Sequence, residues 1–463
     1  MSTRYDLLVI GSGPGGRRAA IQAAKLGKRV LILERGRRIG GVSVHTGTIP
    51  SKTLRETVLN LSGWREREFY GRGYRARENI SAADLLERLT KTLDHEVETL
   101  EHQFNRNQVD TVCGEAHFLD QHTLAVTKED GDVAEYSAES IVIATGTRPY
   151  RPAHIPFDND RVVDSDEILN LKRIPRSLAV IGAGVIGVEY ATIFSALDVH
   201  VTLIEPRNSI VDFVDNEITQ DLIHQMRDRG MALRLGETVQ GIEIKASGIC
   251  TTHLKSGRMV HSDMVLYTAG RSGATNSLKL ENCGLKPDER GKLTVNENFQ
   301  TEVPHIYAVG DVIGFPSLAS TSMEQGRLAA CNAFGEAAHS SPEYFPYGIY
   351  SVPEISTIGM SEQEVREREI PYECGIARLR ETSRGQIMGL NHGILKAIFS
   401  MKTHRLLGVH IVGEGATELI HIGQAVLTLE GTLEYFIENA FNYPTLAEAY
   451  KIAALDAWNR IHH

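Results

Sequence analysis

The sequence predicts an α/β fold: two copies of a strand, glycine turn, helix and strand unit, then a separate C-terminal α+β unit. Three observations predict it. Gly11-Ser12-Gly13-Pro14-Gly15-Gly16 and Gly182-Ala183-Gly184-Val185-Ile186-Gly187 both read G-x-G-x-x-G, and Glu34 and Glu205 each stand 23 residues past the first glycine of their run. Each run follows an apolar segment, Leu7 to Ile10 or Leu178 to Ile181, and opens a helix-like one, Arg17 to Leu26 or Val188 to Leu197. Past a boundary at Pro342 to Tyr347, strand-like runs and then helices replace the alternation, the order of an α+β unit.

A second strand, Arg29 to Leu33 or His200 to Ile204, precedes each glutamate. Strand, tight turn, helix, strand and acid is the Rossmann order, so each copy predicts a dinucleotide site. Gly11, Gly13 and Gly16, like Gly182, Gly184 and Gly187, let the backbone approach a pyrophosphate. The helix N-terminus then holds its charge with free N–H groups. Glu34 and Glu205 are the acids for ribose hydroxyls. A glycine turn that merely packs helix on strand explains one copy; it does not explain two with matching acids.

Between the repeats lie a helix-like insertion, Ala82 to Gln103, and a buried-strand run, Ile141 to Gly146. Arg148 to Asp160 reads as a proline-rich crossing into the second unit, which ends in a matching run, Met264 to Arg271. A further strand, His305 to Val309, stops at Gly310-Asp311, where an acid at a strand's C-terminal end can reach a polar ligand or cap the next helix. Ile349 to Ile358, Ile394 to Phe399 and Leu406 to Val412 read as strands, Thr417 to Leu429 and Thr445 to Arg460 as helices. The charged stretch Arg65 to Glu78 reads as a solvated surface. These landmarks divide the chain at 1–147, 148–270, 271–345 and 346–463.

The balance of 49 Lys and Arg against 59 Asp and Glu gives −10 and no basic stripe, which disfavours nucleic acid and anionic membranes and favours small soluble ligands. Strand-like sequence from Tyr5 leaves no room for a secretory leader, and Gly or charge interrupts every apolar run before it could span a bilayer, so a cytoplasmic location is expected. Cys113, Cys250, Cys283, Cys331 and Cys374 form no close pair and read as structural thiols. His410 and His421 lack ligand spacing, and no metal site is expected.

These pieces, in this order, resemble the two-dinucleotide-binding flavoprotein disulfide reductases. The resemblance implies FAD on the first fingerprint, a nicotinamide nucleotide on the second and a C-terminal dimerisation domain, hence a homodimer or larger homo-oligomer. It places Glu34 on the adenosine ribose, Asp311 on the ribitol, and Thr145 and Gly146 beside the flavin nucleotide, with Gly270 in the nucleotide-binding set. Gly40-Gly41-Val42-Ser43-Val44-His45-Thr46-Gly47-Thr48-Ile49-Pro50-Ser51-Lys52 matches the family's redox segment except that Ser43 and Thr48 stand at its two cysteines. Hydroxyls form no disulfide and no charge-transfer thiolate, so disulfide reduction by this route is excluded. The family's catalytic histidine is likewise replaced in Tyr443-Pro444-Thr445-Leu446-Ala447-Glu448, and a phenol with an ordinary pKa near ~10 is a poor proton shuttle at neutral pH.

Hydride transfer between two nicotinamide nucleotides through a flavin needs neither dithiol nor base, since no proton is consumed overall. Gly47 to Lys52, Gly310 to Ala319 and Asn442 to Tyr450 resemble the family's branch of soluble, energy-independent pyridine nucleotide transhydrogenases. By that likeness NADPH reduces FAD and NAD takes the hydride in turn. Lys52 stands near flavin N5, paired with Glu189, and Tyr443 and Glu448 reach the flavin from the partner subunit. Glu205 favours NAD(H), while Arg207 either meets the 2′-phosphate of NADP(H) or is solvated or paired with a surface acid. Two other readings remain: a diaphorase or quinone reductase, and a non-catalytic redox sensor that binds the same nucleotides.

Overall fold

The computed structural model describes residues 3–71, 73–338 and 344–462. The chain divides into two compact units, one of Met1–Thr53, Leu86–Tyr150 and Gly270–Ser340, the other of Leu54–Leu85, Arg151–Ala269 and Ser341–His463. Pro342, at the expected last boundary, lies outside the described residues, as does Arg72 within the charged stretch.

The first unit is built on a seven-stranded sheet ordered Asp110–Cys113, Val30–Glu34, Thr3–Ile10, Val133–Ile143, Thr123–Thr127, Glu115–Phe118, with Ile306–Ala308 also paired to Val133–Ile143. The strands nearest the fingerprint run parallel, with Leu7 to Ile10 in register with Val30 to Leu33 on one side and Ser140 to Ile143 on the other. Leu7, Leu8, Val9, Leu31 and Ile32 are sealed from solvent. Such continuous apolar runs suit parallel strands covered on both faces. Helix Pro14–Lys25 approaches helix Ala319–Ala333 so closely that a methyl group on Gly326 would sit 2.0 Å from the Gly15 carbonyl oxygen. Two glycines therefore set that packing distance.

The second unit repeats the design in a five-stranded parallel sheet, Ala232–Leu235, His200–Glu205, Ser177–Ile181, Met264–Tyr267, Val162–Asp164. A three-stranded antiparallel sheet covers residues 239–262, and a five-stranded antiparallel sheet is ordered Tyr347–Ile349, Ile355–Gly359, Leu406–Val412, Ile394–Ser400, Tyr372–Arg378. The last sheet packs on helices Ala416–Thr428 and Glu448–His462 through Leu395, Phe399, Ile411, Phe436, Tyr450 and Ala453.

Two expectations are corrected. Ile349 to Ile358 is not one strand but two, paired antiparallel, because Pro353 offers no N–H and the Ser351 hydroxyl donates to its carbonyl at 2.6 Å in the turn. Nor is Arg65 to Glu78 simply a solvated face. Arg67 is buried, donating to Asp198 at 3.1 and 3.3 Å, and Arg65 bonds Glu414 at 2.7 Å and Glu56 at 3.1 Å. The Arg67 and Arg229 guanidinium carbons lie 5.3 and 4.3 Å from the Trp64 ring centre. Stacking on the indole and pairing with Asp198 together offset the cost of burying the Arg67 guanidinium. Both glutamates after the fingerprints belong to their strands as terminal residues.

Candidate functional site

The two glycine turns are near copies in geometry. Gly11 and Gly182 hold φ at 101° and 99°, a region closed to most side chains, and their N–H groups donate to Leu33 O at 2.8 Å and Ile204 O at 2.9 Å. A methyl group at Gly16 would sit 1.9 Å from Gly11 O, and one at Gly187 equally 1.9 Å from Gly182 O. Beside Gly13 and Gly184, by contrast, nothing lies within 4 Å of the place a Cβ would take. These residues are the N-caps of the 12-residue helices Pro14–Lys25 and Val185–Ala196, and among the described residues no side chain caps either helix. An α-helix leaves its first N–H groups without internal acceptors. Open space in front of an uncapped, positively polarised helix end fits a pyrophosphate in both units.

The acids are held alike as well. Glu34 accepts from Ser12 N at 3.0 Å and Ser12 Oγ at 2.5 Å through one oxygen, and from Gly36 N at 2.8 Å through the other. Glu205 accepts from Ala183 N at 2.6 Å through one oxygen, and from Arg207 N at 3.1 Å and Arg207 Nε at 2.7 Å through the other. Burial pushes the Glu205 carboxyl up, but the Arg207 side chain and two backbone N–H donors outweigh it and hold the group below the ordinary carboxylate range. Arg207 is paired with acids: besides Glu205 it bonds Asp212, Nη1 to Oδ2, at 2.7 Å. The Glu205 hydrogen bond, with Asp212, holds its guanidinium far above its ordinary value.

In the first unit the Ser12 hydroxyl also accepts from Gly40 N at 2.7 Å, tying the glycine turn to the segment that carries Ser43. Ser43 lies in the short helix Gly41–His45 with its hydroxyl donating to Gly40 O at 3.2 Å, and Thr48 is exposed at the start of helix Thr48–Ser62. Lys52 is on that helix, its Nζ 3.3 Å from Ser51 Oγ. Asp311 sits in the turn Gly310–Ile313 and does not cap the next helix, whose N-cap is Leu318. Its Oδ2 lies 3.4 Å from Thr147 Oγ1, which accepts from Arg271 Nε at 2.8 Å. Burial raises the Asp311 carboxyl, with Arg271, Thr147 and Lys292 acting the other way. Among the described residues the buried Thr145 hydroxyl has no hydrogen-bond partner, and it stands next to Gly146 at φ 66° with open space at its Cβ. An orphaned hydroxyl, an open glycine and an uncapped helix in one unit fit a bound flavin nucleotide.

The remaining predicted residues belong to separate settings. Glu189 is buried in helix Val185–Ala196 and accepts from Tyr350 N at 2.8 Å. Gly270, at φ 105°, accepts from Tyr150 N at 3.1 Å. Tyr443 is exposed and accepts from the Ser383 hydroxyl at 2.7 Å, while Glu448 accepts from Ser383 N at 3.3 Å, so one serine links the tyrosine that stands at the family's histidine to the acid that the chain keeps. All five cysteines are free, and burial raises each thiol, Cys250 to about 11 and Cys374 to about 12. Sequence reasoning alone does not single out Ser12, Arg271 or Asp212. Ser12 carried a signal, a hydroxyl between two fingerprint glycines; Asp212 carried none. Among the described residues no cluster suits a metal ion, and no helix is long and apolar enough to cross a membrane.

Residues 5–326 match the family described as pyridine nucleotide-disulphide oxidoreductase, and residues 345–454 match its dimerisation domain. A soluble pyridine nucleotide transhydrogenase of Mycobacterium bovis is 51% identical over 458 residues, 99% of this chain and 98% of that protein. One of Vibrio cholerae is 44% identical over 461 residues, again 99% and 98%. Among solved structures, the HOCl-induced flavoprotein disulfide reductase RclA of Escherichia coli aligns at TM-score 0.87 and 27% identity over 97% of this chain and 99% of its own. LpdA of Mycobacterium tuberculosis aligns at TM-score 0.89 over 98% and 99%, and at 24% identity it speaks for the fold alone.

Proposed function

The chain belongs to the pyridine nucleotide-disulphide oxidoreductase family, and from that premise we propose that it is an FAD-dependent transhydrogenase, moving hydride reversibly between NADPH and NAD by a ping-pong route without sulfur. The observation that carries this reading is the coexistence of two intact nucleotide cradles with Ser43 and Thr48 where the family's dithiol stands. FAD, when bound, supplies a carrier that takes and returns two electrons as hydride.

The chain's own groups bind, orient and hold charge. In the first unit the N-terminus of Pro14–Lys25 meets the pyrophosphate of FAD, Glu34 takes the adenosine ribose and Asp311 the ribitol. In the second, the N-terminus of Val185–Ala196 and Glu205 receive NADP(H) and NAD(H) in succession. Lys52 supplies the positive charge that favours hydride acceptance, with Glu189 proposed as its acid partner. Tyr443 and Glu448 complete the flavin site from the second subunit of a homodimer, for which residues 345–454 carry the family's dimerisation domain. No base is assigned, because NADPH + NAD⁺ → NADP⁺ + NADH releases and consumes no proton. A cytoplasmic location accords with five free thiols.

Anaerobic titration tests this. NADPH should bleach the yellow protein and NAD or thio-NAD should restore the colour. Bleaching that only a quinone reverses would favour a quinone reductase, and failure to bleach would favour a sensor. Useful turnover of lipoamide or glutathione would end the reading. In Lys52→Met, bleaching by NADPH should slow at least about tenfold, the effect expected from losing one charge at a developing anion.

A further inference from the structure

Arg207 is the nearest cation to the acid that receives the ribose, yet it is already held between two carboxylates. Glu205 takes Nε and Asp212 takes Nη1, each at 2.7 Å. The acids differ in kind. Glu205 is buried, with side-chain exposure of 4%, whereas the Asp212 side chain is 52% exposed and that of Arg207 is 47% exposed. The Arg207–Asp212 contact is therefore a solvated pair that breaks cheaply, while the Glu205 contact anchors the arginine at the site.

The loop fixes where Asp212 stands. Val211 holds φ at 36°, a costly conformation for a β-branched residue, with its side chain buried. Its N–H donates at 2.9 Å to the carbonyl of Ala183, the second fingerprint residue, and its carbonyl accepts from Val214 N at 2.9 Å. On the other side Arg207 O accepts from Gly236 N at 3.0 Å. A strained valine hooked onto the glycine turn thus presents Asp212 to the guanidinium.

We propose that Asp212 is a specificity-determining latch: it engages the Arg207 guanidinium when the ribose carries a 2′-hydroxyl, and gives it up when the ribose carries a 2′-phosphate. The inference rests on the second cradle being the nicotinamide nucleotide site. With NAD(H) bound, Arg207 stays paired and Glu205 faces the hydroxyls. With NADP(H) bound, the phosphate dianion replaces Asp212 as the partner of Nη1, and the exposed aspartate returns to water. One pocket can then serve both substrates in turn, and Asp212 acts as a positioning residue through Arg207.

The test measures equilibrium binding of NADP⁺ and NAD⁺ to the oxidised FAD-loaded protein, together with KM for NADPH and NADH. Asp212→Ala and Asp212→Asn should each tighten NADP⁺ by about threefold, the scale of one exposed ion pair, and leave NAD⁺ unchanged. Arg207→Ala should weaken NADP⁺ alone, and adding Asp212→Ala to it should change nothing further. Equal shifts for both nucleotides, or no shift, would overturn the latch. So would a gain that persists in the double variant, since Asp212 would then act by its own charge. If the unsubstituted protein bound neither nucleotide, the proposed function would fail and the latch with it.

Discussion

The two fingerprints share a backbone and differ in what surrounds the acid. Around Gly11 to Gly16 the acid is surrounded by neutral donors: Ser12 N, Ser12 Oγ and Gly36 N converge on Glu34. Around Gly182 to Gly187 an alanine replaces the serine and an arginine replaces the glycine, so Glu205 carries a cation that itself contacts a second carboxylate. A site for one resident cofactor can satisfy its acid permanently. A site that exchanges two substrates differing by one phosphate needs an electrostatic element that changes partner.

The strongest way to break the comparison is to close each cradle. A methyl group 1.9 Å from a carbonyl oxygen forces backbone movement, so Gly16→Ala and Gly187→Ala should each cost about 2–3 kcal/mol locally. Gly16→Ala should emerge with little flavin, read as absorbance per protein. Gly187→Ala should stay yellow but resist bleaching by NADPH. If both lost flavin equally, the division of labour would be wrong.

Next in size is the acid itself. Glu205→Gln removes the charge that opposes a 2′-phosphate and should shift the NADP(H) to NAD(H) preference by about tenfold toward NADP(H), near the effect of one charged hydrogen bond. Glu34→Gln should lower flavin retention and leave that preference alone. A smaller effect is expected from Ser12→Ala, which removes a hydroxyl shared by Glu34 and Gly40 N and should cost about 1 kcal/mol in flavin-loaded stability by thermal melting. Ala183→Ser, the reciprocal change, should be near neutral.

The smallest effect concerns pH. Because Glu205 is held below its ordinary value, its ion pair contributes stability that is present above the unfolded carboxyl pKa of about 4.3 and is lost as pH falls through the lower folded value. Affinity for NAD should therefore stay flat from pH 7 to about 5. A drop centred above that range would mean that Arg207 does not hold the acid ionised.

Much of this was legible in the sequence because backbone chemistry leaves a plain trace. Positive φ at Gly11 and Gly182 and the close helix approach at Gly16 and Gly187 admit only glycine, and the acid is fixed by the length of one helix and one strand. Ser43 and Thr48 needed only a comparison of residue types with the family's redox segment. Contacts made by side chains across the sequence left no such trace. The charge run around Arg67 looked solvated because its partner, Asp198, is 131 residues away, and nothing local to Asp212 says that a strained Val211 will aim it at Arg207. Long arginines resolve their partners only once the fold is made.

The five free thiols, each raised by burial, have a consequence for survival under chemical attack. Alkylating agents and peroxides react with thiolates, and desolvation disfavours the thiolate at all five positions. A dithiol that carries electrons must pass through a thiolate, which electrophiles attack. A chain with hydroxyls at Ser43 and Thr48 should keep its hydride transfer after treatment with an alkylating agent or peroxide.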